Sequence, residues 1–286
     1  MKTSNPVLAR LGQAAERERH AGYAPGPYGQ PGYPQQPGYG PAGYQQPGHA
    51  EPFSPAPAYP AAPATGQTMS IDDVVVKTVA LLGILGVAAA AAWVLVPGSL
   101  AFPLAIGSML VGLVLGLVIS FSRMANPALV VAYSVVEGVF VGLISRAFEN
   151  FYSGIVLQAV VATFGVFFVM AMLYKARVIR ATPKFVRGMI AVMAGLFAVM
   201  LINLVLGLFG FDTGLRSGGP LAIGFSLVCI VVAALSFVLS FHEIEEGIRM
   251  GLPQRYSWTA AFGILVSLIW LYLEVLRLIS YFQGDD

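Results

Sequence analysis

Two acidic side chains lie in the middle of long apolar runs. Residues 258–282 form a run of about 25 residues whose only formal charges are Glu274 and Arg277, and a run of this length spans a bilayer as a helix. Glu137 lies near the middle of another run, residues 128–148. A carboxylate at that depth costs roughly 2.5–3.5 kcal/mol on insertion scales. We therefore expect each acid to face a polar partner or a water-filled path, as a proton or cation site.

The alternative is structural: a carboxylate that is buried only to hold helices together, paired with an arginine or with backbone groups. Arg277 follows Glu274 by three residues and shares its helical face, which suits either interpretation. A second ionisable cluster, His242, Glu243 and Glu246, follows another apolar run. His242 and Glu246 are four residues apart, so they could form a pH-responsive pair or simply line a solvated helix end.

No sequence motif indicates an enzyme. The chain has no Walker-type phosphate loop, no HExxH and no GxSxG, and Ser134 and Ser145 have no histidine in the neighbouring runs to activate them. Cys229 is the only cysteine, which excludes a disulfide framework and a cysteine metal site. We expect no enzymatic activity, no cofactor, no metal site and no nucleic-acid partner.

Membrane-spanning helices must position these residues. The chain has 286 residues, of which 57% are hydrophobic and 10% are charged, and no soluble domain hides that much apolar surface. Backbone groups in lipid must pair within their own segment, so each run is predicted to be a helix. Residues 71–286 are therefore predicted to form an all-α membrane domain of seven helices, with the last helix central. The runs cover residues 74–96, 100–121, 128–148, 153–174, 187–209, 220–241 and 258–282.

Residues 1–70 differ in composition and are predicted to be a disordered, low-complexity tail. Thirteen of the 19 prolines precede residue 64, among Gly–Tyr and Tyr–Pro units, and such a segment cannot bury a core. The tail is a solvated spacer or, because tyrosines stack, a segment that binds a protein partner.

The lysines and arginines predict the orientation. Residues 175–187 hold five of them, on the same side as Lys77 and the tail. Arg123, Arg249 and Arg255 are also on that side, against Arg146, Arg216 and, near the end of the last run, Arg277 on the opposite side. The positive-inside rule then predicts a multi-pass protein of the cell membrane with a cytoplasmic N-terminus.

Two pairs of glycines have the small-xxx-small spacing that lets helix backbones approach closely: Gly112 with Gly116, and Gly138 with Gly142. Such pairs also arise by chance in glycine-rich helices, so each pair is a hypothesis about a helix–helix contact.

The last two runs resemble a known family. Leu271-Tyr272-Leu273-Glu274, followed by apolar residues and Arg277, is similar to the final-span pattern of the Bax inhibitor-1/YccA family of seven-helix membrane proteins, a Leu-Tyr-Leu-Asp followed by a basic residue. Phe241-His242 is similar to the end of that family's sixth span, which has an aromatic-Asp pair. The Tyr/Pro/Gly-rich tail is similar to those of bacterial members.

The resemblance implies a pH-sensitive calcium leak, in which an acid of the sixth span and one of the seventh share a proton and latch the pore. Glu274 takes the seventh-span place, and His242 falls on the sixth-span place. Two carboxylates share a proton because like charges repel, whereas a protonated His242 attracts Glu274, so acid should tighten this pair. Glu243 or Glu246 could instead supply the missing acid. The 32 residues between His242 and Glu274 exceed the spacing expected for the family.

Three functions are compatible with the sequence. The leading one is a pH-tuned calcium leak channel with Glu274 as the central acid, because calcium prefers oxygen ligands. The second is a non-conducting membrane regulator that binds a protease or stress-response partner, with the tail as a binding segment. The third, a proton-coupled transporter, lacks convincing inverted repeats. The implied partners are membrane lipids, calcium ions and a protein bound through the tail.

Overall fold

Seven long helices form the molecule in the computed structural model, which describes residues 67–122, 124–211, 213–215 and 219–284. All seven are long and apolar enough to cross a membrane, as the sequence predicts. In chain order they are α1 Ile71–Leu95, α2 Gly98–Phe121, α3 Pro127–Phe151, α4 Ile155–Lys175, α5 Pro183–Leu208, α6 Pro220–Arg249 and α7 Tyr256–Gln283.

Local signals set several helix starts. Ser70 and Asp73 form a capping box at the start of α1, which pairs backbone N–H groups that would otherwise lack partners. Asn126 caps α3 and Thr182 caps α5, each followed by a proline at the first helical position, where a missing N–H is harmless. Glu149, near the end of α3, accepts hydrogen bonds from the N–H groups of Gly154 and Val156 at 2.6 and 3.1 Å and so caps α4.

The last helix is central, as predicted. Helix α7 packs against α1, α3, α4 and α6, and 56% of its most apolar stretch is buried, compared with 11% for α2. In the described part of the chain, α2 packs only on α3, and α5 packs only on α6. The outer helices therefore surround α7 unevenly, and α2 and α5 lie at the periphery.

The glycines of α3 confirm the predicted close approach of helices. A Cβ on Gly138 would lie 2.5 Å from the carbonyl oxygen of Leu85, and one on Gly142 would overlap the backbone of Ala89. Gly112 of α2 likewise lies against the carboxylate of Glu137. Because α1 can approach α3 only without side chains at these positions, the glycines fix the α1–α3 interface.

The predicted basic side is one end of the bundle. The Tyr174 hydroxyl at the end of α4 donates to Glu245 Oε2 of α6 at 2.6 Å. The Ala125 N–H, before α3, donates to Thr259 Oγ1 of α7 at 3.2 Å, and Lys77 Nζ donates to the Gln254 carbonyl at 3.4 Å. These contacts join the three basic loops and the start of α1. Arg123 and Arg216 lie outside the described residues.

The last residues of the predicted tail are attached to this same end. The Met69 N–H donates to the Leu252 carbonyl, and the Gln254 N–H donates to the Gln67 carbonyl, both at 2.8 Å. Met69 is buried. Residues 67–70 thus pair with the loop between α6 and α7, whereas the predicted disorder of residues 1–66 lies outside the described residues.

Candidate functional site

The Glu274 carboxylate lies inside the bundle and is paired on its own helix. It is only 2% exposed, and Arg277 Nη1 donates to Oε1 at 3.0 Å and to Oε2 at 2.9 Å. The Arg277 side chain is 21% exposed. The predicted pairing along one helical face is therefore present, and a buried acid and a partly exposed cation lie next to each other in a membrane-spanning segment.

A pair of hydroxyl groups joins α3 to α7, and the sequence did not reveal it. Ser145 Oγ of α3 and the Tyr272 hydroxyl of α7 are 2.6 Å apart, and both residues are buried. The available signal was that each is a polar residue in an apolar run, where polar side chains hydrogen bond between helices. The hydrogen bond joins α3 to α7 two residues before Glu274.

His242 lies far from Glu274. Ser236 Oγ of α6 donates to Ser267 Oγ of α7 at 3.1 Å, which fixes the register of these two antiparallel helices. His242 lies six residues from Ser236 towards the connecting loop, and Glu274 lies seven residues from Ser267 in the opposite direction. At about 1.5 Å per residue, the two side chains are about 20 Å apart along the bundle. The same register brings Cys229 of α6 to the level of Glu274.

The cluster at the end of α6 is a separate and more exposed site. Helix α6 does not end near Phe241, as the apolar run suggests, but continues to Arg249. His242 Nε2 lies 3.4 Å from Glu246 Oε2, and Arg249 Nη2 lies 2.9 Å from Glu246 Oε1. Glu243 is exposed. The expected pair of His242 and Glu246 is present, on a helical and partly exposed part of α6.

Glu137 faces a different interface from Glu274. Its side chain is partly buried, and Oε2 lies against Gly112 of α2. Tyr133, one turn earlier on α3, packs edge-on against Phe262 of α7 with ring centroids 5.1 Å apart. The two acids predicted from the apolar runs therefore belong to two sites, one between α2 and α3 and one on α7.

The described residues contain no group of three or more His, Cys, Asp or Glu side chains that could hold a metal ion. Any cation near Glu274 would meet one carboxylate that is already paired with a guanidinium. The arrangement can hold a proton or exchange Arg277 for a cation, and it offers no preformed multidentate cage.

Comparison with known proteins identifies the family. A search of curated proteins finds no match. A family model described as Bax inhibitor 1 like matches residues 5–284, which is nearly the whole chain and includes all seven helices. The chain therefore belongs to the Bax inhibitor 1 like family, as its resemblance in the last two spans suggested.

Proposed function

We propose that this integral membrane protein is a pH-sensitive calcium leak channel of the cell membrane, with its N-terminus in the cytoplasm, and that it is not an enzyme. The observation that carries the proposal is the buried Glu274–Arg277 pair in the central helix. An ionisable group at this depth is rare and marks an ion or proton pathway by default. The five cations of residues 175–187 support the cytoplasmic assignment of the basic end.

The ion pair supplies a switch. While Glu274 is ionised, Arg277 occupies both of its oxygens, so that a calcium ion would have to displace the guanidinium. A proton on Glu274 removes the attraction and releases Arg277. Helix α7 packs on four other helices, so a change in this pair can alter the packing of most of the bundle.

Calcium flux into liposomes containing the purified protein tests the proposal. Wild-type protein should conduct calcium at a rate that depends on pH, and Glu274→Gln should lose that pH dependence, because the glutamine cannot titrate. Glu246→Gln is the matched control, since it removes an acid of the same kind from the exposed end of α6. Equal pH dependence in wild type and Glu274→Gln would contradict the proposal.

The alternative function is a non-conducting regulator that binds a protease or stress-response partner. The same ion pair favours it in one respect, because a carboxylate neutralised by Arg277 presents no net charge to a cation. Deleting residues 1–66 separates the two functions while keeping residues 67–70, which pair with the loop after α6. A leak channel should keep its flux after this deletion, whereas a regulator that acts through the tail should lose partner binding and show no flux in either form.

A further inference from the structure

A crevice of about 510 Å³ runs between α1 and α4 and has α3 and α7 at its base. Helices α1 and α4 do not pack on each other in the described part of the chain, so the crevice opens sideways, towards the hydrocarbon of the bilayer. Its volume lies within the range of about 300–1,000 Å³ that is usual for ligand pockets.

The polar groups of the crevice are already paired. Ser145 and Tyr272 hydrogen bond to each other at 2.6 Å, and Thr163 Oγ1 donates to the Ala159 carbonyl at 2.7 Å. The rest of the lining is apolar apart from the Trp93 indole. A polar solute in the crevice would therefore lose its hydrogen bonds to water and form few new ones, whereas a hydrocarbon chain has no hydrogen bonds to lose.

The length and position of the crevice fit one leaflet. Along α1 it extends from Leu82 to Val94, which is about 18 Å at 1.5 Å per residue. Half of a hydrocarbon core about 30 Å thick is about 15 Å. The crevice begins near the end of α1 opposite the basic loops and ends near the middle of that helix, at Leu82.

A cation lies at the outer end of the crevice. Arg146 Nη1 donates to the carbonyls of Trp93 and Val96, at 3.1 and 2.7 Å, and Trp93 lines the crevice. These bonds cap the end of α1 and use only one nitrogen of the guanidinium, whose fork geometry suits phosphate. The nearby acid, Glu149, accepts from two N–H groups at the start of α4, where the helix dipole offsets its charge.

We propose that the crevice is a binding site for one glycerophospholipid of the leaflet opposite the basic loops. One acyl chain lies between α1 and α4, against Leu268 and Tyr272 of α7, and the phosphate binds Arg146. The bound lipid thereby contacts the two helices that carry the Ser145–Tyr272 hydrogen bond. This site is separate from the one at Glu274 and does not depend on calcium conduction.

Photo-crosslinking tests the site in the full-length protein reconstituted in nanodiscs with a phosphatidylglycerol that carries a diazirine in one acyl chain. Leu268 and Tyr272 are buried and border the crevice, so lipids on the outer surface of the bundle should not reach them. Peptide mapping should find label on these two residues. Label confined to exposed residues would overturn the proposal, because it would indicate surface lipid only.

Variants that fill the crevice with a larger side chain provide a second test. Gly86 lines the crevice, and a Cβ there would meet open space, so Gly86→Leu should abolish the label on α7. Gly224→Leu on α6, which also faces open space but lies away from the crevice, should keep it. If Gly86→Leu does not fold, Ala90→Leu fills the same space. Persistence of the α7 label in a folded filling variant would refute the site.

The headgroup contact has its own readout. Native mass spectrometry of Arg146→Gln should show loss of retained phosphatidylglycerol, whereas Arg146→Lys should retain it, since a lysine keeps the charge. Equal retention in wild type and Arg146→Gln would remove Arg146 from the proposal.

Discussion

Among the described residues, α7 holds the Glu274–Arg277 pair and α6 holds the cluster of His242, Glu246 and Arg249, and the surroundings of the two differ. In α7, Glu274 is 2% exposed and Arg277 21%. At the end of α6, His242 and Glu246 are 37% and 24% exposed, and Arg249 is 76% exposed. Both sets of contacts arise from separations of three or four residues along one helix, so spacing alone does not indicate importance. Burial determines how much each pair matters for stability, because water screens the exposed pair and cannot solvate the buried one.

The largest effect is expected from removing one partner of the buried pair. Arg277→Gln leaves the Glu274 carboxylate buried without its guanidinium, and breaking a buried pair in this way costs about 3–5 kcal/mol. Thermal unfolding in detergent should show a markedly lower Tm. Arg249→Gln, which removes the exposed arginine of α6, is the matched control and should leave Tm nearly unchanged. Equal Tm values for the two variants would show that burial does not separate the pairs.

Removing both partners of the buried pair sharpens the comparison. Glu274→Gln/Arg277→Gln leaves no buried charge, so it avoids the uncompensated carboxylate that makes the loss of one partner costly. The double variant should therefore be more stable than Arg277→Gln, as measured by the same unfolding experiment. A double variant that loses as much as the two single variants combined would mean that the groups do not act as a pair.

A smaller effect is expected at the Ser145–Tyr272 hydroxyl pair. Tyr272→Phe leaves the buried Ser145 hydroxyl without its partner, which costs about 1–3 kcal/mol. Ser145→Ala/Tyr272→Phe removes both polar groups and should recover part of that loss. Thermal unfolding of wild type, Tyr272→Phe and the double variant checks this: the stability of the double variant should lie between those of the other two. A double variant less stable than Tyr272→Phe would contradict the expectation.

The smallest effect is expected at the end of α6. Glu246→Gln removes the partner of His242 and Arg249, and exposed pairs contribute about 0.2–1 kcal/mol. Its Tm should lie close to the wild-type value and should depend little on salt. A loss comparable to that of Arg277→Gln would place the important ionisable cluster on α6 instead of α7.

Features that depend on one helix were predictable from the sequence. The seven helices follow from apolar length, and the Glu274–Arg277 contact follows from a separation of three residues. The spacing of Gly138 and Gly142 suggested a close helix contact as a hypothesis, because such contacts need small side chains, but it did not indicate α1 as the partner helix.

Features that depend on the register between helices were not predictable. The Ser145–Tyr272 hydrogen bond joins residues 127 apart in the chain. The distance of His242 from Glu274 depends on how α6 and α7 slide past each other and on the continuation of α6 to Arg249. Loop geometry and the packing of all the helices determine these quantities, and no short motif encodes them.

The most direct test of the role of Glu274 is calcium flux into liposomes as a function of pH, measured for wild type and for Glu274→Gln/Arg277→Gln. The double variant is chosen because it removes the titratable acid without leaving an unpaired buried charge, so that the protein should stay folded. We expect flux that varies with pH in wild type and flux independent of pH in the variant. A folded double variant with the wild-type pH profile would contradict the assignment of Glu274 as the acid that controls conduction.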